Sequence, residues 1–94
     1  MYNSRNQYED RKSYFIAKTS ELIRKLRLQK NVSISKIAQE YDIDKSNWSK
    51  IERGLYSIEF ATLWKITEAL EIDCSEFSKL LRKELGDDFK LMDE

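Results

Sequence analysis

The stretch that decides the fold is DKSNWSKIERG, Asp44–Gly54. Asp44 is a natural helix N-cap, because its carboxylate can accept the free N–H groups of a first turn. Gly54 suits a helix end, where a left-handed residue is wanted. Between them, a helix over 45–53 at about 100° per residue divides sharply into two faces. Lys45, Ser46, Ser49, Lys50 and Arg53 share one stripe, and Trp48 and Ile51 lie on the opposite side. Asn47 and Glu52 fall at the edges. Trp48 therefore reads as the packed back of the helix, and the small polar and basic residues as its outer face.

Working outward, the chain shows helical periods and no strand pattern. A first helix is expected from Ser13 or Tyr14, with Phe15, Ile16, Thr19, Leu22, Ile23 and Leu26 inward, ending at Lys30–Asn31. Ser33 caps a short second helix running to about Tyr41, with Ile37, Ala38 and Tyr41 inward. Asp42 lies in the tight connection to the third helix, and that spacing is the one a helix-turn-helix uses. A fourth helix spans about Phe60 to Leu70. Asp73 and Glu76 form a capping box for a fifth, which carries Phe77, Leu80, Leu81 and Leu85 inward and ends at Gly86. The expected fold is all-α, with five short helices in one domain over residues 13–86. Residues 1–12 read as a flexible arm and 87–94 as an acidic tail, although Phe89, Leu91 and Met92 could dock.

Composition narrows the class. The chain has 94 residues, 40% hydrophobic and 36% charged, with two Gly, no Pro, no His and one Cys. So few turn residues argue against sandwiches and barrels. Cys74 has no disulfide partner within the chain, which fits a reducing, cytoplasmic setting and a small apolar role. No zinc spacing, Gly-rich phosphate loop or nucleophile beside a base is found, so neither an enzyme nor a metal or cofactor site is expected. No membrane segment or secretory leader is expected either.

The net charge of zero hides an asymmetry. Residues 18–57 carry nine basic and five acidic residues, a net +4, against +1 for residues 1–17 and −5 for residues 58–94. The segment holding the first three helices thus has the sign a polyanion needs. The chemistry of the outer stripe suits DNA. Lys donates to guanine O6 and N7 or to phosphate, Ser bonds base edges, and small residues between cations let a helix enter the major groove. The same stripe also fits an ordinary solvated face, and the segment alone does not separate the two.

From Ile23 to Phe77 the chain resembles the Cro- and lambda-repressor-like, XRE-type helix-turn-helix family of prokaryotes. The likeness rests on IRKLR, the Ser33 step into IA, DKSNWSKIERG, TLWKITEAL and the capped fifth helix. The resemblance implies a double-stranded DNA-binding transcriptional regulator, in the form of a homodimeric repressor reading a palindromic operator. It implies base contacts from Lys45, Ser46, Ser49 and Lys50, and phosphate contacts from Ser33, Ile34, Asn47 and Arg53. Tyr56, in the loop that follows, is a further candidate phosphate donor. Arg27 and Glu52 match a pair that joins the first and third helices. Trp64 stands where the family has an aliphatic residue and is expected in the core. The sequence departs from the family pattern at Ile34, usually Gln, at Asp42, usually Gly, and at Ile58, usually Pro. Leu81, Leu85, Phe89 and Leu91 suggest a dimer contact through the C-terminal helix. The alternative is an interaction module whose partner is a protein, a toxin or another regulator, with weak or lost DNA binding.

Overall fold

In the computed structural model, which describes residues 4–92 and side chains 7–92, the chain forms five helices. These are α1 (Ser4–Gln29), α2 (Ile34–Glu40), α3 (Lys45–Glu52), α4 (Phe60–Ala69) and α5 (Cys74–Leu85). Helix α1 is the spine. It packs against α3 on one side and α5 on another, while α2 packs on α3 and α4 on α5. Each helix contributes to one core: Leu22 and Ile23 from α1, Ile37 from α2, Trp48 and Ile51 from α3, Ile66 and Ala69 from α4, and Phe77 and Leu81 from α5. Burying a large apolar side chain contributes roughly 1.5–3 kcal/mol, so these contacts outweigh the weak intrinsic stability of seven- to twelve-residue helices.

The turns follow from local chemistry. Ser33 is the N-cap of α2, its Oγ accepting the Lys36 N–H at 3.1 Å, and Asp44 caps α3 by accepting the Asn47 N–H at 3.0 Å. Asn31, Asp42 and Gly54 all take the left-handed conformation, with φ of 59°, 54° and 68°. Gly54 is favoured for a second reason: a Cβ there would come within 3.3 Å of Ser20 Oγ on α1, which would have to give way by a few tenths of an ångström. Glu71 is also left-handed, at φ 59°, after the end of α4. Asp73 stands at the N-cap of α5 as expected, but its side chain makes no capping hydrogen bond there, so the capping box is only positional.

Two expectations need correction. Helix α1 starts at Ser4, not at Ser13 or Tyr14, so the arm is helical from Ser4 onward. Extending an existing helix needs no new nucleus, and each residue fixed gains one hydrogen bond. The C-terminal segment supports that extension. Phe89 stacks on Phe15 and lies tilted against Tyr14, with centroids 6.3 and 5.8 Å apart, and Arg11 Nη1 donates to the Met92 carbonyl at 2.7 Å. Arg82 Nη1 ties the same segment down through the carbonyls of Gly86 and Phe89. Leu81 is core and Phe89 packs on α1, while Leu85 and Leu91 are half-buried along the same segment. Residues 1–3 of the arm and 93–94 of the tail lie outside the described residues.

The second correction is Trp64, which is 51% exposed rather than core. Helical phase explains it: with Ile66 facing inward, Trp64 is two residues back and about 160° away. Phe60, one turn before it, shares that outward face at 67% exposure, and the two rings meet edge to face at 6.1 Å. Among the described residues no helix is long and apolar enough to cross a membrane.

Candidate nucleic-acid interface

The candidate interface is the outward stripe of α3, and its precision depends on what lies behind it. Trp48 and Ile51 are fully buried, so the helix cannot roll without emptying the core. Trp48 also carries a polar handle: its Nε1–H donates to Glu52 Oε2 at 2.6 Å. Glu52 is in turn held from α1. Arg27 Nε donates to Glu52 Oε2 at 2.5 Å and Arg27 Nη2 to Oε1 at 2.9 Å, a two-pronged contact. The third guanidinium nitrogen, Nη1, donates to the Val32 carbonyl at 2.8 Å, fixing the loop that enters α2. The Arg27 and Glu52 side chains are only 9% and 5% exposed. The hydrogen bond to Glu52 holds the guanidinium pKa above its already high value, against an opposing effect of burial. One ion pair thus ties α1, the α1–α2 loop and α3 into a single frame, as the sequence pairing of Arg27 with Glu52 anticipated.

On the outer side, Lys45, Ser46, Lys50 and Arg53 are exposed and Ser49 is half-buried. Arg53 Nε donates to the Ser49 carbonyl at 3.4 Å, a long contact within the stripe. The α3 end is closed by Gly54 and Leu55, whose N–H groups donate to the carbonyls of Ile51 and Lys50. Asp44 puts its carboxylate against the first-turn N–H of Asn47, so one acid near the groove mouth is engaged in capping. Ser33 uses an oxygen lone pair for its cap and keeps its O–H proton available to a phosphate. Ile34 is half-buried against the core, leaving its backbone N–H, one of the orphan donors of a helix start, as the polar group at that position.

Several members of this frame were not read from the sequence. The Trp48–Glu52 bond follows the i,i+4 spacing that places two side chains on one helix face, a signal present in the sequence. Lys65 Nζ donates to the Asp42 carbonyl at 3.1 Å and braces the α2–α3 turn from α4. Lys30 and Glu71 form an exposed ion pair between the ends of α1 and α4. Their mutual hydrogen bond is the main reason that the Lys30 pKa is raised and the Glu71 pKa lowered. Tyr56 does not stand alone in its loop: its hydroxyl donates to Asn47 Oδ1 on the first turn of α3. Of these last three, two link residues far apart in sequence and the third spans helix and loop nine residues apart, and no local pattern announces any of them. Among the described residues, no group of three or more His, Cys, Asp or Glu is placed to hold a metal ion.

This geometry agrees with what the chain is similar to. A helix-turn-helix family model matches residues 23–77. No curated protein matches. Among solved structures, the restriction–modification controller protein C.Esp1396I, as a tetramer in complex with its natural 35 base-pair operator, aligns with a TM-score of 0.72. The identity is 30%, over 76% of this chain and 93% of that one. The wild-type controller protein aligns with a TM-score of 0.70 at 30% identity, over 76% of this chain and 91% of that one. A nucleoprotein complex of the same controller gives a TM-score of 0.69 at 30% identity, over 74% and 91%.

Proposed function

Since the chain belongs to the helix-turn-helix family, we propose that it is a sequence-specific regulator of transcription that represses by occupying a palindromic operator as a homodimer. Its similarity to a controller protein in complex with an operator supports DNA binding and self-association. The observation that carries the reading is the anchored α3: a helix fixed behind by Trp48, Ile51 and the Arg27–Glu52 pair, with Lys45, Ser46, Ser49 and Lys50 facing outward. In this reading α3 enters the major groove and those four side chains reach base edges. Ser33, the Ile34 backbone, Asn47 and Arg53 hold phosphates and set the register, the division of labour general to such interfaces. The net +4 of residues 18–57 supplies the attraction.

A dimer needs a surface, and the exposed face of α4 supports one. An aromatic side chain offers about 150–250 Å² when fully buried, so Phe60 and Trp64 at their observed exposure present roughly 200–250 Å² of aromatic surface. That is about a quarter to a third of what each partner contributes to a standard interface, enough for the central anchors of one but not for all of it. Phe60→Ser with Trp64→Ser should give a folded monomer by light scattering, with wild-type helix content. A dimer that survives both changes excludes this surface.

Selection of bound sites from a random duplex pool tests the functional reading. Two subunits reading successive major grooves require inverted half-sites centred about 34 Å apart. Recovery of such an inverted repeat is the expected result. A protein that enriches no sequence, or binds no duplex at low salt, contradicts it.

A further inference from the structure

Asn47 and Tyr56 are nine residues apart, at opposite ends of the helix and loop that face the candidate groove. Asn47 is half-buried in the first turn of α3, its own N–H held by Asp44. Tyr56, 37% exposed, lies in the loop beyond Gly54 and reaches back along the helix to donate its hydroxyl to Asn47 Oδ1. An asparagine amide has two chemically opposite ends, an accepting oxygen and a donating NH₂. Its last torsion is broad and roughly two-fold, so a free amide presents either end. Oxygen towards a phosphate is repulsive, whereas NH₂ towards it is a charge-assisted hydrogen bond. In the structure the Tyr56 hydroxyl donates to the oxygen end, an arrangement that leaves the NH₂ directed away from the ring.

We propose that Tyr56 is a positioning residue, which sets the Asn47 amide to donate to a backbone phosphate instead of contacting DNA on its own account. This rests on the DNA-binding reading above. It replaces the sequence expectation that the two residues act as separate phosphate donors. It also gives the loop after α3 a defined task, since its position governs what the first turn of the helix presents.

A double-mutant cycle on the selected operator tests it, with Tyr56→Phe removing only the hydroxyl. Asn47→Ala should weaken binding by about tenfold or more, the range for a hydrogen bond to a charged group. Tyr56→Phe should weaken it several-fold, and Tyr56→Phe added to Asn47→Ala should change nothing further. In the free protein, Tyr56→Phe should move the Asn47 side-chain amide resonances while the melting temperature stays within a few degrees. Losses that multiply in the double variant would show Tyr56 to be an independent contact and overturn the proposal. An unmoved Asn47 amide overturns it as well. Wild-type protein that binds no duplex defeats the DNA reading, and the proposal with it; a shifted Asn47 amide in that case marks the contact as real but without this use.

Discussion

Replacing Glu52 with alanine strands two buried donors at once, the Arg27 guanidinium and the Trp48 indole N–H. Breaking a buried ion pair by removing one partner costs about 3–5 kcal/mol, because the remaining charge has lost its compensation. The orphaned indole N–H costs a further amount of about 1–3 kcal/mol. A domain of this size has a total stability of roughly 5–14 kcal/mol, so Glu52→Ala should remove about a fifth of it or more. The urea midpoint of the helical circular-dichroism signal should fall accordingly, with an unchanged slope against denaturant. Arg27→Met added to Glu52→Ala should recover part of the loss, since it removes the uncompensated charge and leaves only the neutral indole N–H and Val32 carbonyl without their partners. The double variant is then more stable than Glu52→Ala alone. A Glu52→Ala cost below about 1 kcal/mol would refute the reasoning, because it is the value for solvent-exposed pairs. It would mean that the pair is not the desolvated tie between α1 and α3 described above.

Two further changes probe the frame. Trp48→Ala should destabilise the domain by about 3–5 kcal/mol in the same denaturation assay, the cost of emptying an aromatic core site. A fully stable Trp48→Ala variant that loses only DNA would reverse the assignment of Trp48 to the back of the helix. The Glu71 carboxyl should titrate below the ordinary glutamate value of about 4.3 and return to it in Lys30→Ala, as read by NMR. With a lowered folded pKa, the stability from Glu71 is present above the unfolded value and is lost as pH falls through the folded one. With a raised folded pKa, the contribution of Lys30 is complete below its unfolded value near 10.4 and is lost as pH rises through the folded one.

What was legible in the sequence was local or periodic. The caps Ser33 and Asp44, the left-handed positions Asn31, Asp42 and Gly54, and the inward Trp48 follow from short-range chemistry and helical phase. Phase also pointed Trp64 outward. Its expected core role came from residue size and family resemblance, and the geometry of the helix overruled both. The early start of α1 could not be read from its own residues, which lack an apolar period. One of them, Arg11, is held by the Met92 carbonyl, more than 70 residues away in sequence. The Tyr56–Asn47 contact escaped for a related reason: an exposed polar side chain has many possible partners, and only the path of the loop selects one. Arg27 and Glu52 were paired in advance only because the family resemblance marked them.

The central claim is that the outer face of α3 reads a duplex by its base edges. The direct measurement is the affinity of Lys50→Ala for the selected operator and for a scrambled duplex of equal length, at one fixed salt concentration. A base contact predicts a loss of about 1–3 kcal/mol on the operator, little loss on the scrambled duplex, and relaxed preference at one base pair. An equal loss on both duplexes, or none on either, would contradict it.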